Sequence, residues 1–246
     1  MKLSVVIPAK DEEGSVAEAI AGVTGALGGA GIEHEVVVVD DASTDRTAEI
    51  VKAIAAENPS VVYHRSHNPP GFGMAVRAGL DTYTGDAVAI FMADSSDDPA
   101  DLCRYHAVLE EGWDCAFGSR FVPGGRVYDY PRLKLAINRL ANLFIRGIFL
   151  HGYNDTTNAF KAYRREVIDA VQPLLSHHFN LTVELPLKAI VRGFSFRVLP
   201  ISWTNRTSGT SKLAMREMGS RYMFIVLYVW LEHHLSRGDY HRDVRN

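Results

Sequence analysis

The fold class that the sequence predicts is α/β, with a mostly parallel, Rossmann-like central sheet flanked by helices. Two observations predict it. Short apolar runs alternate with helical stretches through the first half of the chain, an order typical of right-handed β-α-β units. The central run, residues 87–92, is apolar throughout, as expected for a strand buried on both faces. The 246 residues, 47% of them hydrophobic, are enough for one such domain with a substantial core.

The first half supplies the parallel part of the sheet. The predicted strands are residues 3–7, 35–39, 61–64, 87–92 and 114–117. The predicted helices are residues 17–27, a segment capped by Thr44 or Asp45 that reaches residue 57, residues 74–83 and residues 99–111. Polar loops follow the strands, and ligands of such sheets bind just beyond the carboxyl ends of the strands.

The second half has a different pattern, with longer helices and fewer strands. The predicted helices are residues 133–150, 166–175, 181–192 and 215–235. One strand is predicted over residues 194–199, and residues 201–203 extend it past Pro200. We expect a catalytic domain over residues 1–213 and an amphipathic C-terminal helix with a tail over residues 214–246.

Three carboxylates follow the predicted central strand, at Asp94, Asp97 and Asp98. Like charges this close repel each other, and a divalent cation holding a phosphate would offset that repulsion, because Mg²⁺ and Mn²⁺ prefer oxygen ligands. The alternative is a turn followed by a helix cap, in which Asp98 and Pro99 open the next helix. For this stretch alone the two interpretations are equally supported.

Composition excludes several classes of function. The formal net charge of -3 argues against a general nucleic-acid binder. Cys103 and Cys115 have neither metal-ligand spacing nor a disulfide framework, so a reducing cytosol is expected. No signal peptide is predicted at the N-terminus. No stretch approaches the roughly 20 apolar residues that a membrane-spanning helix needs.

Five motifs, taken together and in order, resemble the family 2 glycosyltransferases with a GT-A fold, and most closely the polyprenyl-phosphate sugar synthases of the dolichol-phosphate mannosyltransferase type. They are residues 5–13 (VVIPAKDEE), 39–45 (VDDASTD), 118–120 (GSR), 154–161 (NDTTNAFK) and 205–213 (NRTSGTSKL). The resemblance implies a GT-A fold and transfer of a sugar from a nucleotide-sugar to a lipid phosphate, with inversion.

The resemblance also implies where the donor binds. The residues expected at the nucleoside and donor side are Pro8, Ala9, Asp11, Glu13, Asp40 and Ala93. The metal motif of the family is Asp-x-Asp at the end of the central strand, and here Met92 replaces the first aspartate while Asp94 matches the second. We expect Asp94 to bind Mg²⁺ or Mn²⁺ and Asp97 to supply a second carboxylate, since Mg²⁺ often needs only one or two carboxylates besides phosphates.

A phosphate acceptor is already an anion, so it needs no general base. Catalysis then depends on positioning and on cations that hold the acceptor. The expected phosphate partners are Arg120, Arg206 and Lys212, with a further cation from Arg132 or Lys134. The alternative for each is a solvated surface cation.

Two acidic residues remain ambiguous in the sequence. Asp155 lies in the 154–161 motif, which either positions the sugar or braces the site. Glu184 either accepts a hydrogen bond from the sugar or pairs with a nearby arginine. If the acceptor were a sugar hydroxyl, Asp155 or Glu184 would be the candidate base. Met92 motivates a third hypothesis, a catalytically weak nucleotide-sugar-binding protein.

The final predicted helix carries an apolar run, residues 224–231, flanked by arginines. Trp230 and Tyr228 within such a run suit an interfacial element, but a helix packed on the core or on a second subunit, as in a homo-oligomer, fits equally. We expect a peripheral protein on the cytoplasmic membrane face that binds no nucleic acid. The sequence leaves the sugar and the base open among GDP-mannose, UDP-glucose and UDP-N-acetyl sugars.

Overall fold

The computed structural model describes residues 1–205 and 215–241, without the side chains of residues 215–218. Its strands are β1 (Leu3–Ala9), β2 (His34–Asp40), β3 (Val61–Arg65), β4 (Ala87–Ile90), β5 (Cys115–Ser119), β6 (Arg126–Tyr128), β7 (Lys161–Arg164), β8 (Phe196–Pro200) and β9 (Ser202–Thr204). Its helices are α1 (Val16–Gly29), α2 (Thr47–Glu57), α3 (Phe72–Leu80), α4 (Ala100–Glu110), α5 (Arg132–Phe149), α6 (Arg165–Ala170), α7 (Leu181–Val191) and α8 (Met215–Leu235).

Seven strands form the central sheet in the order β3-β2-β1-β4-β7-β5-β8. All neighbouring pairs are parallel except those made by β7, which runs antiparallel between β4 and β5. The strands β6 and β9 form a separate two-stranded ribbon. The predicted α/β class with a mostly parallel sheet and flanking helices is therefore confirmed.

The core lies on both faces of this sheet, as the wholly apolar central run predicts. On one face, α1, α2 and α4 contribute buried residues such as Ile20, Val51 and Leu102. On the other, α3, α6 and α7 contribute residues such as Val76 and Leu185. Burial on both sides leaves only the strand ends open for a binding site.

The register brings the polar loops together at the carboxyl edge. Ala9 at the end of β1 pairs with Asp40 at the end of β2, and the amide of Asp41 donates to the carbonyl of Ala9 at 2.8 Å. On its other side β1 pairs with β4 up to Ile90. The loops after β1, β2 and β4 therefore start side by side.

The second half corrects several predicted boundaries. The strands β6 and β7 were not predicted, because Arg126–Tyr128 is only three residues long and Lys161–Arg164 begins and ends with cations. The helix expected over residues 166–175 ends at Ala170. The strand extension past Pro200 is wrong: β9 leaves the main sheet and pairs with β6.

The helix α7 carries a buried polar seam that corrects the prediction for Glu184. The Glu184 carboxylate accepts hydrogen bonds from the amides of Leu175 and Ser176, each at 2.7 Å, and pairs with Lys188 at 2.9 Å with both side chains fully buried. Its partner is thus a lysine of the same helix and not an arginine. Both carboxylate oxygens are engaged within the protein, and contact between Glu184 and a sugar stays a prediction.

The helix α8 packs on α7 along one face only. Ile225, Val226 and Val229 are buried against residues of α5 and α7, while Phe224 is 59% and Leu231 46% exposed. The helix therefore combines a core contact with an open apolar face. Among the described residues, no helix has the length and apolarity needed to cross a membrane. The division at residue 213 stays a prediction.

Candidate active site

A cavity of about 980 Å³ opens at the carboxyl ends of β4 and β5. Four predicted site residues line it: Asp94, Asp97, Arg120 and Lys134. The remaining wall is mainly apolar, and much of it comes from α5 and α8, with Leu140, Phe144 and Val226 among its residues. The cavity thus has a charged end at the sheet and an apolar end between two helices.

Arg120 is fixed at the charged end by an ion pair with Asp155. Its Nε and terminal nitrogen donate to the two carboxylate oxygens of Asp155 at 2.8 and 2.7 Å, and its backbone amide donates to the same carboxylate at 3.0 Å. Burial lowers the pKa of the guanidinium, but the charge and hydrogen bonds of Asp155, together with smaller contributions from Tyr130 and Asp97, outweigh burial and raise the Arg120 pKa above its usual range. Asp155 is fully buried and does not line the cavity, which favours the bracing interpretation, and a contact with the sugar stays a prediction.

Close packing explains why the 118–120 motif has a glycine at position 118. A Cβ at Gly118 would lie 2.1 Å from the Tyr105 hydroxyl, which donates to the carbonyl of Phe160 at 3.0 Å. Only glycine lets β5 approach Tyr105 this closely, and that approach sets the position from which Arg120 enters the site.

Aromatic rings surround the Arg120 guanidinium. Phe121, Tyr130 and Trp203 lie with their ring centroids 5.2, 5.9 and 5.7 Å from its central carbon, and Tyr130 and Trp203 contact each other at 4.9 Å. Trp203 comes from β9, whereas Tyr130 lies just after β6 and Phe121 just after β5. Sequence reasoning missed both Tyr130 and Trp203 as site residues; the only signal was two aromatic residues close to polar, basic loops.

Asp97 is buried at the cavity wall with one oxygen unsatisfied. It is 4% exposed, and its Oδ1 has no hydrogen-bond partner among the described residues. Burial, followed by the nearby charge of Asp94, raises the Asp97 pKa to about 8, and Arg120 only partly opposes this shift. A buried, unpartnered carboxylate oxygen beside a second aspartate is the chemistry of a cation ligand.

The donor set fits a hard divalent cation. Asp94 and Asp97 offer carboxylate oxygens only, which suits Mg²⁺ or Mn²⁺ completed by phosphate and water. Within the described residues, no group of three or more histidine, cysteine, aspartate or glutamate side chains could hold a metal by itself. Such a cation would therefore depend on oxygens from a bound ligand.

The 154–159 segment connects the site to α5. Thr157 accepts hydrogen bonds from the side-chain amides of Asn138 and Asn142 at 2.8 and 3.0 Å, and its own amide donates to Asn142 at 3.1 Å. Of the α5 residues, only Asn142 and Ile145 are buried. This polar clamp and the apolar contacts of Ile145, Ile148 and Phe149 thus hold a largely exposed helix over the cavity.

The residues predicted for the nucleoside lie together at the ends of β1 and β2, outside the lining of this cavity. Asp40 accepts hydrogen bonds from the amide of Ser43 and the hydroxyl of Tyr63, both at 2.9 Å. Asp11 accepts one from the amide of Thr44 at 2.7 Å, and Glu13 accepts one from the amide of Arg46 at 3.0 Å. Their roles toward a nucleotide stay predictions.

The remaining predicted positions lie in different parts of the chain. Pro8 and Ala9 are the buried end of β1, and Ala93 is buried beside Asp94. Between the two cations that the sequence left open, Lys134 lines the cavity and Arg132 does not. Arg206 and Lys212 lie outside the described residues.

Comparison with known proteins gives consistent relatives. The model of the family described as glycosyl transferase family 2 matches residues 4–172, more than half of the chain. A polyprenol monophosphomannose synthase of Mycolicibacterium smegmatis is 34% identical over 85% of this chain and 80% of that protein. A dolichol-phosphate mannosyltransferase of Pyrococcus furiosus is 30% identical over 87% of this chain but only 59% of its own length. An undecaprenyl-phosphate mannosyltransferase of Micrococcus luteus is 31% identical over 87% of this chain and 88% of that protein.

Solved structures share the fold at low sequence identity. Glucosyl-3-phosphoglycerate synthase from Mycobacterium tuberculosis, in complex with Mn²⁺, uridine diphosphate and glucosyl-3-phosphoglycerate, has a TM-score of 0.68 at 19% identity, covering 94% of this chain and 79% of that one. The same enzyme with Mg²⁺ and uridine diphosphate has a TM-score of 0.66 at 19% identity, covering 94% and 79%. This likeness concerns the fold.

The raised pKa of Asp97 predicts how stability changes with pH when no metal is present. The unfolded carboxyl titrates near 3.8 and the folded one at about 8, so between these values the folded state binds more protons than the unfolded state. The free energy of unfolding in EDTA should therefore fall as pH rises from about 4 to about 8, by an amount on the order of a few kcal/mol. Asp97→Asn should remove this part of the pH dependence.

Urea denaturation at a series of pH values measures this change in the free energy of unfolding. Asp98→Asn, which changes an exposed neighbour, is the matched control and should keep the wild-type slope. Identical pH dependence in wild type and Asp97→Asn would contradict the assigned shift.

Proposed function

The chain belongs to glycosyl transferase family 2, and we propose that it transfers a sugar, with inversion, from a nucleotide-sugar to the phosphate of a polyprenyl phosphate. The named activities of the relatives from Mycolicibacterium, Pyrococcus and Micrococcus support this proposal, and they favour mannose as the sugar. GDP-mannose is the first donor to test, with UDP-sugars as the alternative.

The amphipathic cavity is the observation that carries the proposal. Its charged end combines Arg120 and Lys134 with Asp94 and Asp97, and its apolar end is lined by Leu140, Phe144 and Val226 among others. A polyprenyl phosphate has the same division, with an anionic head and a hydrocarbon tail. A sugar hydroxyl acceptor would leave the apolar end without a partner.

Transfer to a phosphate needs no general base from the protein. The acceptor phosphate brings an ionised oxygen as nucleophile, so the protein has to hold it in line with the anomeric carbon of the donor. Lys134 and Arg120 attract the phosphate, and Asp155 keeps the Arg120 fork oriented. The aromatic wall around Arg120 keeps water away from that guanidinium, which strengthens its attraction for an anion.

The two carboxylates that a hydroxyl acceptor could use as a base are both engaged in ion pairs. Asp155 is bound to Arg120 in a two-pronged pair, and Glu184 is bound to Lys188 and to two backbone amides. Neither candidate base of the alternative mechanism is therefore available to take a proton from a substrate. This observation favours the phosphate acceptor.

A divalent cation fits the acidic residues of the cavity. Asp94 and Asp97 would hold Mg²⁺ or Mn²⁺ together with the donor diphosphate, and the bound ion would stabilise the negative charge of the leaving nucleoside diphosphate. The unsatisfied Oδ1 of Asp97 supports its use in place of a residue at position 92, where Met92 cannot bind such an ion. The complexes of the mycobacterial synthase with Mn²⁺ and Mg²⁺ support the same class of cofactor.

A membrane surface is the proposed source of the acceptor. The helix α5 has four cations and no carboxylate, and it exposes an apolar stripe in which Leu133, Leu140 and Leu143 are 71%, 68% and 64% exposed. The open face of α8 continues this surface. Apolar side chains next to cations suit the interface of an anionic bilayer, so we place the protein peripherally, on the cytoplasmic face.

The acceptor assignment predicts the effect of removing Lys134. In Lys134→Ala, kcat/KM for a short polyprenyl phosphate should fall about tenfold through a higher KM for the acceptor, because one charge-assisted contact is lost. Donor affinity should hardly change. Arg132→Ala, which removes a cation of the same helix outside the cavity lining, is the control and should behave like wild type.

Initial rates with the polyprenyl phosphate and with the corresponding dephosphorylated alcohol measure this difference. Arg206→Ala, at the basic motif outside the described residues, should likewise weaken acceptor use by roughly 1.5–3 kcal/mol. Equal transfer to the uncharged alcohol would rule out the phosphate acceptor.

The metal assignment predicts a rescue. Asp94→Ala should lower the rate at least about tenfold, on the order of 1.4 kcal/mol, and Asp97→Asn should weaken Mn²⁺-dependent binding of nucleoside diphosphate. Adding Met92→Asp to Asp97→Asn restores a second carboxylate, so binding should recover. Isothermal titration of GDP and UDP with and without Mn²⁺ measures it, and unaltered Mn²⁺ dependence in both single variants would refute the site.

The membrane assignment predicts that surface substitutions release the protein from lipid. Leu143→Ser with Leu150→Ser, or Phe224→Ser with Trp230→Ser, should greatly reduce sedimentation with anionic vesicles, because none of the four residues lines the cavity and all are exposed. Nucleotide binding should remain. Val62→Ser with Trp113→Ser changes exposed apolar residues elsewhere and should have no effect; unchanged vesicle binding in both helix variants would reject the surface.

A further inference from the structure

Lys161 is a fully buried cation that the proposed reaction leaves without a role. It is the first residue of β7 and is 1% exposed. In the sheet it pairs with Ile90 of β4 and Phe117 of β5, at the edge where the site lies. An ammonium group in such a place is costly unless its donors are satisfied, so its partners indicate what it does.

Those partners are backbone carbonyls from two separate elements. The Lys161 Nζ donates to the carbonyl oxygen of Thr156 at 3.0 Å, to that of Thr182 at 3.2 Å, and to that of Asn158. An ammonium has three N–H donors and no acceptor, so three carbonyls satisfy it completely. Thr156 and Asn158 belong to the 154–159 segment, whereas Thr182 belongs to α7.

The segment held in this way carries several contacts of the site. Asp155 orients Arg120, and Thr157 binds the two asparagines that hold α5. Thr157, Asn158 and Thr182 all line the cavity. The ammonium of Lys161 therefore lies behind the cavity wall at the point where the segment meets α7.

We propose that Lys161 is a positioning residue for the acceptor: its ammonium fastens residues 156–158 to α7 and so fixes the cavity wall between the charged end and α5. The residue touches no substrate itself. Loss of Lys161 should make the segment more mobile. Arg120 and α5, which contact the segment, should then be held less firmly. The donor side, at the ends of β1 and β2, lies apart from these contacts and should be unaffected.

The protonation of Lys161 gives this role a pH dependence. Burial lowers the pKa of the ammonium to about 7, with Asp155 and Asp97 opposing the shift and Arg120 adding to it. Tyr153 also lies beside it, with its ring centroid 5.6 Å from the Nζ. A neutral amine has two N–H donors and a lone pair, so one of the three carbonyls loses its partner.

The test compares two buried lysines. Lys161→Met should raise the KM for a short polyprenyl phosphate at least about tenfold and leave the affinity for GDP with Mn²⁺ unchanged. In hydrogen-exchange mass spectrometry, the peptide covering residues 154–160 should exchange faster. Lys188→Met is the control: Lys188 is equally buried and donates to the carbonyl of Pro173, but it pairs with Glu184 away from the cavity. That variant should lose stability without changing acceptor KM or exchange at residues 154–160.

A pH profile supplies a readout that loss of stability alone does not change. Wild-type kcat/KM for the acceptor should fall as pH rises above about 7, and Lys161→Arg, which stays charged, should lack that decline. The kinetic part rests on the proposed transfer to a polyprenyl phosphate, whereas the exchange measurement does not. If wild type shows no transfer but Lys161→Met still accelerates exchange at residues 154–160, the proposed function fails and the positioning role stands.

The inference is overturned if folded Lys161→Met keeps both the wild-type acceptor KM and the wild-type exchange. If Lys161→Met cannot be recovered folded, the pH profiles decide. A wild-type profile that shows no decline above neutral pH, or a decline that Lys161→Arg retains, overturns the inference equally.

Discussion

The ion pair between Arg120 and Asp155 is the contact on which the site depends. It joins the end of β5 to the 154–159 segment, which come from distant parts of the chain. Both side chains are buried, so removing either partner would leave an uncompensated charge, a loss typically of about 3–5 kcal/mol. The aromatic wall, the clamp on α5 and the contacts of Lys161 all adjoin this pair, and their geometry follows from it.

Charge and apolar surface are separated along the cavity because different layers of the fold supply them. The sheet edge contributes the carboxylates and Arg120, since loops at strand ends can expose polar groups without disturbing the core. The helices α5 and α8 contribute apolar side chains to the cavity, while residues on another face of each helix pack together with α7. An amphipathic ligand can therefore be matched by a fold whose interior follows the ordinary rule of apolar inside and polar outside.

The strand-end part of the site was predictable from the sequence, and the rest was not. Parallel strands expose their carboxyl ends at one edge, so the strand pattern alone places Asp94 and Arg120 at the same edge of the sheet. The strand β7 escaped prediction because its cations hide the usual apolar signal, and Lys161 was missed with it. The helix α5 was predicted, but which of its sides faces solvent depends on the asparagines that bind Thr157, and the sequence does not reveal those contacts. The arginine partner expected for Glu184 was wrong, because its partners are backbone amides and a lysine on its own helix.

The insertion of β7 between β4 and β5 has a consequence for the growing polypeptide. The strands β1 to β4 are contiguous in the sheet and can pair as soon as about the first 90 residues have been synthesised. The next strand, β5, has no neighbour until β7 is made some 40 residues later and β8 after it. Its apolar edge must wait unpaired on the nascent chain, where exposed strand edges invite aggregation. Folding of the second half of the sheet is therefore the step that leaves a strand edge exposed for longest.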